Sequence, residues 1–218
     1  DVLARELRLS PCDLRAIVAK ALARYGGDVV GIRAHPDEAA ALAEEWNVVP
    51  DDALRTGDAV IEVHNGRIDA SLGVRPGAPL VVMVAALVGH KDPVTFVRAM
   101  DAARRTVPNV QGLMVGEGPL RADVEREIAS LGLGDVVHLA GYRTDADSLM
   151  SVADVVALSS EDDGIGGVVI DAMSFGKPVA ATAAGGIPEA VVNDETGLLV
   201  PIGDSVALGN AIARLITD

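Results

Sequence analysis

One cysteine, Cys12, stands in 218 residues, so no disulfide can close within the chain and a cysteine-rich structural zinc site is excluded. Aromatic side chains are almost as scarce. Tyr25, Trp46, Phe96, Tyr142 and Phe175 are the whole set, too few for the stacking platforms that hold single-stranded nucleic acid. Positive charge is also short: 18 Lys and Arg face 32 Asp and Glu, a net of -14. That balance argues against a polyanion or an anionic membrane face as partner, and nucleic acid is not expected. No apolar run reaches the ~18 residues of a transmembrane segment. The opening DVLARELRLSPCDLR lacks the basic-then-apolar order of a secretory signal, so a cytoplasmic location is expected. His35, His64 and His138 show no metal-ligand spacing, and no Ser/His/Asp grouping can be assigned. No metal site is expected.

What the chain does have is an apolar half, enough for a substantial core. From residue 80 onward, β-branched runs at 80–87, 112–116, 136–141, 154–160, 178–184 and 197–200 alternate with helical patterns. Strands that are apolar throughout belong in a parallel sheet covered on both faces. The fold class is therefore α/β with a doubly wound, Rossmann-like parallel sheet, over residues 76–218. Ligands of such sheets sit beyond the carboxyl ends of the strands, which directs attention to the loops at 88–92, 116–119, 141–144, 160–167 and 184–189. Residues 1–75 read differently, with a helix at 13–25, strands at 28–34 and 58–66, and a helix at 37–47 between them. The stretch GVRPGAP then reads as a connection. Two strands are few for a complete α/β domain, so 1–75 is expected to be the tail of a larger domain.

The segment EDDGIGGVVIDAM, 161–173, raises the functional question. Three acids precede Gly164, Gly166 and Gly167, where a strand passes into a helix. Glycines admit close backbone approach, and the N–H groups of a helix start suit phosphate; glycine spacing alone favours a plain tight turn. Asp163 and Asp171, eight positions apart, shift the balance. Carboxylates accept hydrogen bonds from sugar hydroxyls, so an anion seat between two of them suits a nucleotide sugar.

These residues carry a resemblance. The order EDDGIGGVVIDAMSFGKPVAATAAGGIPEAVVNDETGLLVPIGD resembles the donor-binding C-terminal domain of retaining glycosyltransferases of family 4 with the GT-B fold. That family's mark is two glutamates separated by seven residues, the first followed by Gly-aromatic-Gly. Asp163 and Asp171 fall on the two acidic positions, with Gly164, Ile165 and Gly166 on the others. Further matches are VHNGRID at 63–69, VGEGPLR at 115–121, VVHLAGYRTD at 136–145 and AGGIPE at 184–189. AALVGHKDP at 85–93 corresponds to the family's Gly-Arg-Leu-x-x-x-Lys-Gly; Lys91 is retained and Ala86 stands where the arginine is usual.

The resemblance implies transfer of a sugar from a nucleoside diphosphate to an acceptor hydroxyl, with retained anomeric configuration, no metal, and no cofactor beyond the donor substrate. Lys91, the helix start from Gly164 to Val168 through Gly167, and His90 or an arginine elsewhere would face the diphosphate. Asp163 would hold the transferred sugar and Asp171 the ribose. Gly116, Glu117 and Gly118 would form the pocket floor, with the Tyr142 and Arg143 backbone at the base edge. Acceptor binding belongs to an N-terminal domain, so this chain is expected to be mainly the donor-binding half, with little or no activity alone. A truncation-exposed face would favour self-association, and the full-length enzyme could work at the inner face of the membrane. A nucleotide-sugar epimerase of the same architecture and a catalytically silent binding module are the alternatives.

Overall fold

The computed structural model describes residues 18, 29–54, 59–63, 66–69, 74, 78–143, 146–164 and 166–218. Apart from Val18, the helix expected over 13–25 lies outside them, as does Ile165. The chain divides into two compact units, Asp1–Ala78 and Pro79–Asp218.

In the first unit the described elements are β1 (Val29–Ala34), α1 (Pro36–Leu42), β2 (Val48–Pro50), β3 (Ala59–Val63) and β4 (Gly66–Asp69). They form a sheet in the order β2-β1-β3-β4. β1 and β2 are parallel across α1, whereas β3 is antiparallel to both β1 and β4. Pro36 opens α1, where its missing N–H costs nothing, and Asp37 and Glu38 occupy the positive end of the helix. Ile32, Ala34, Ala39, Leu42 and Ala59 form the core, with Trp46 and Val48 against it. Two strands here correct the sequence reading. β2 is three residues ending in proline, and β4, GRID, runs past the strand expected at 58–66 and ahead of the connection expected at GVRPGAP, its alternation too brief to register. The Asn65-Gly66 dipeptide between alternating segments was the available hairpin signal.

The second unit holds β5 (Leu80–Val84), α2 (Pro93–Ala103), β6 (Gln111–Val115), α3 (Arg121–Ser130), β7 (Val137–Gly141) and α4 (Ala146–Ser151). It continues with β8 (Val155–Leu158), α5 (Gly167–Ser174), β9 (Val179–Thr182), α6 (Ile187–Ala190), β10 (Gly197–Val200) and α7 (Ser205–Thr217). All six strands are parallel, in the order β10-β9-β8-β5-β6-β7. This is the doubly wound sheet expected from sequence. Val81 and Met83 of β5 pack with Phe96 and Met100 of α2 and with Leu208 and Ile212 of α7. Leu80 and Val82, which alternate with them, are buried as well, so neither face of the strand meets water.

Helices α2 and α7 pack closely because α7 carries Gly209 at the crossing. A Cβ there would stand 2.5 Å from the Ala99 carbonyl oxygen and 2.6 Å from the Ala102 Cβ. Alanine gains about 1 kcal/mol over glycine in a helix interior, but main-chain overpacking costs about 1–3 kcal/mol. Packing wins because the obstructing oxygen cannot rotate away. Gly209→Ala is therefore expected to lower the thermal midpoint by a few degrees, where an exposed helical glycine would raise it; a calorimetric melt reads the sign.

Candidate functional site

β5 and β8 lie side by side at the centre of the sheet, pairing Val81 with Val155 and Val82 with Val156. From β5 the chain winds outward through β6 to β7, and from β8 through β9 to β10. The loops leaving these two carboxyl ends therefore diverge, which opens a crevice between them. After β5 comes a short 3-10 turn, Gly89–Lys91, closed by Asp92 in the left-handed region at φ 39. Asp92 accepts from Thr95 N at 3.1 Å and so caps α2.

Two adjacent buried serines follow β8, and their hydroxyls go to different partners. Ser159 Oγ lies 3.1 Å from the Lys91 carbonyl oxygen and donates at 2.7 Å to that of Asp92. Ser160 Oγ donates to Asp163 Oδ2 at 3.1 Å. The same Oδ2 receives the Lys91 ammonium at 2.6 Å, with the two side chains 22% and 12% exposed. The His90 carbonyl accepts from Glu161 N at 2.8 Å. Gly185, at φ +50, approaches the Asp163 main chain where no side chain would fit, and Gly186 N donates to the Asp163 and Gly164 carbonyls, both at 3.1 Å. The turn holding Asp163 is thus fixed by the loops after β5 and after β9.

Helix α5 begins on Gly166, left-handed at φ 72, with no side-chain cap, whereas α2 and α7 are capped by Asp92 and Asp204. Val169 N donates to the Gly166 carbonyl at 2.8 Å, which leaves the Gly167 and Val168 N–H groups at the helix start for another acceptor. Beside this start lies a cavity of about 400 Å³, lined mainly by Val84, Ala85, Val115 and Val168, with Lys91, Glu117 and Arg143 among its few polar groups. Ala86, Gly116 and Tyr142 complete much of the wall. Gly116 N donates to the Gly141 carbonyl at 2.8 Å, and Leu87 N to the Glu117 carbonyl at 3.0 Å. A Cβ at Gly118 would strike the Leu87 main chain. Glu117 is held by Arg121.

The structure thus brings Lys91, Gly116, Glu117, Tyr142, Arg143 and Val168 around one cavity, with Asp163 joined to it through Lys91. Gly164 and Gly167 are exposed. Asp171 is exposed one turn beyond Gly167 and Val168, on the same face of α5. His90 is exposed and is not among the cavity-lining residues. Sequence reasoning missed Ser159, Ser160 and Thr182, whose Oγ1 donates to the Ser160 carbonyl at 2.6 Å. Their one signal was polar residues ending apolar strands. A second cavity of about 490 Å³ lies elsewhere, between Met173, Lys177, Leu198 and Leu215. Among the described residues no group of three or more His, Cys, Asp or Glu side chains could hold a metal ion, and no helix is long and apolar enough to cross a membrane.

A family model described as "Glycosyl transferases group 1" matches residues 65–218. The chain belongs to that family. Among the glycosyl transferases it resembles are the 2-deoxystreptamine N-acetyl-D-glucosaminyltransferase of Streptomyces fradiae, 33% identical over 153 residues, covering 68% of this chain and 36% of the relative. The D-inositol 3-phosphate glycosyltransferase of Saccharomonospora viridis is 30% identical over 195 residues, covering 82% of this chain and 45% of the relative. This group 1 chain therefore spans less than half the length of these two relatives. The crystal structure of Anabaena Alr3699/HepE with UDP-glucose superposes with a TM-score of 0.60 at 31% identity, covering 64% of this chain and 39% of that one. With these GT-B neighbours, the Pro79–Asp218 unit is a Rossmann-like domain of the GT-B fold.

Proposed function

We propose that this chain is the donor-binding half of a retaining glycosyltransferase, receiving a nucleoside-diphosphate sugar at the carboxyl ends of β5, β6 and β8. The observation that carries the proposal is the juxtaposition of Lys91, the uncapped start of α5 and a mostly apolar cavity of about 400 Å³. An apolar chamber with a few convergent polar groups is the usual form of a small-molecule site. The base would enter on the Gly141–Arg143 side, over the floor at Gly116–Gly118, and the diphosphate would meet Lys91 and the first turn of α5. Arg143 lines the same cavity, where Ala86 offers no charge, on the side of the base.

The chemistry follows from where charge develops. As the bond from the anomeric carbon to the diphosphate oxygen breaks, negative charge grows on the leaving group. A fixed ammonium and backbone N–H groups stabilise that charge more in the transition state than in the ground state. Asp163, through the oxygen not taken by Lys91 and Ser160, holds sugar hydroxyls, and Asp171 holds the ribose. The acceptor and its binding residues belong to the rest of the enzyme.

Calorimetric titration of the 218-residue chain with the diphosphates of uridine, guanosine and adenosine tests this. One of the three is expected to bind with a dissociation constant on the order of micromolar to millimolar, and failure of all three rejects the reading. Supplying the intact parent protein with labelled nucleotide sugars and acceptors then separates transfer from epimerisation. Epimerised sugar as sole product would replace the transferase reading with that of an epimerase.

A further inference from the structure

We propose that Ser160 is a positioning residue for the diphosphate seat: acting through Asp163, its hydroxyl fixes where the Lys91 ammonium stands. This rests on the nucleotide-sugar reading above and adds to it a residue that touches no ligand. Ser160 is 1% exposed just past the end of β8, and a buried hydroxyl must find an acceptor. Its two polar neighbours in the site, Ser159 and Thr182, both satisfy theirs on main-chain carbonyls. Ser160 instead donates to a carboxylate, and to the same oxygen, Asp163 Oδ2, that binds Lys91.

The consequence is geometric. A lysine ammonium rides on four flexible carbons and has no preferred direction of its own. Asp163 gives it one, but a carboxylate on a short stem can still turn about its own bonds. The Ser160 hydroxyl removes that freedom from one side, and the Ser160 main chain is itself anchored by Thr182 at 2.6 Å. Ser159 meanwhile holds the backbone of Lys91 and Asp92. The ammonium is thus fixed at both ends of its own side chain, and a preorganised cation spends less binding energy on ordering. A purely structural role for Ser160 would affect folding, and with it every ligand contact alike.

The two roles separate in a double-mutant cycle on the 218-residue chain, titrated with uridine diphosphate and with uridine, or with the guanosine or adenosine pair if the wild type prefers it. Ser160→Ala is expected to weaken the diphosphate roughly five- to tenfold and to leave the nucleoside within about twofold. Ser160→Thr, which keeps the hydroxyl, should restore diphosphate affinity. In a Lys91→Ala background, Ser160→Ala should add less than about a twofold loss. Equal weakening of nucleoside and diphosphate, full additivity with Lys91→Ala, or unchanged diphosphate affinity in Ser160→Ala each overturns the proposal. If Ser160→Thr does not fold, the cycle with Lys91→Ala still decides. A wild-type chain that binds no diphosphate is a different result, rejecting the donor-site reading and this proposal with it.

Discussion

Lys91→Ala is expected to bind the nucleoside diphosphate about ten- to a hundredfold more weakly than the wild type. A charge-assisted contact to phosphate is worth about 1.5–3 kcal/mol, and Lys91 is one of two cations lining the cavity beside α5. Its removal has a second effect. The Asp163 carboxylate, with its side chain 12% exposed, keeps Ser160 as its donor and loses the ammonium. An ion left without its partner in a largely enclosed place destabilises the fold, here by about 1–2 kcal/mol because some water still reaches the pair. Adding Asp163→Asn should recover much of that stability without recovering affinity. Denaturant unfolding and calorimetry on the single and double variants separate the two effects. Undiminished affinity in Lys91→Ala would remove the lysine from the seat.

Gly185→Ala is expected to abolish measurable diphosphate binding and to lower stability by about 2–4 kcal/mol. At φ +50 an alanine is strained by about 1–2 kcal/mol. The larger problem is space. Its Cβ would stand 2.8 Å from the Asp163 carbonyl carbon and 3.0 Å from its nitrogen, closer still to its oxygen, so the turn carrying Asp163 has to move. Gly132→Ala is the control, since Gly132 has φ +62 and open space around its missing Cβ. It should lose about 1 kcal/mol and bind normally. Comparable binding defects in both variants would show that backbone strain, not the approach to Asp163, sets the outcome.

The second sheet was legible in the sequence because its strands are apolar on both faces and recur between helical patterns. β10 lies where it was expected, at Gly197–Val200. Other strands end early on the carboxyl side. The run 80–87 yields a ladder only to Val84, and 154–160 only to Leu158, although Ser159 and Ser160 remain buried. Burial continues past pairing there because the backbone turns into the site, and no periodicity marks that change. The glycine turn before α5 was readable, since left-handed glycines and helix starts have local signatures. The Lys91–Asp163 ion pair was not: its partners are 72 residues apart, and nothing local to either names the other. β2 and β4 were missed for the opposite reason, being too short for a pattern.

The reversal of winding order between β5 and β8 also bears on how this unit matures during synthesis. Residues 79–143 can assemble β5, β6 and β7 early, with Lys91, Glu117 and Arg143 already aboard, yet Asp163 and the α5 entrance arrive only when β8 docks against β5. Long-range parallel pairing is slow, so competence for ligand should lag behind helix content in a refolding time course, making the bound nucleotide a late reporter of native structure.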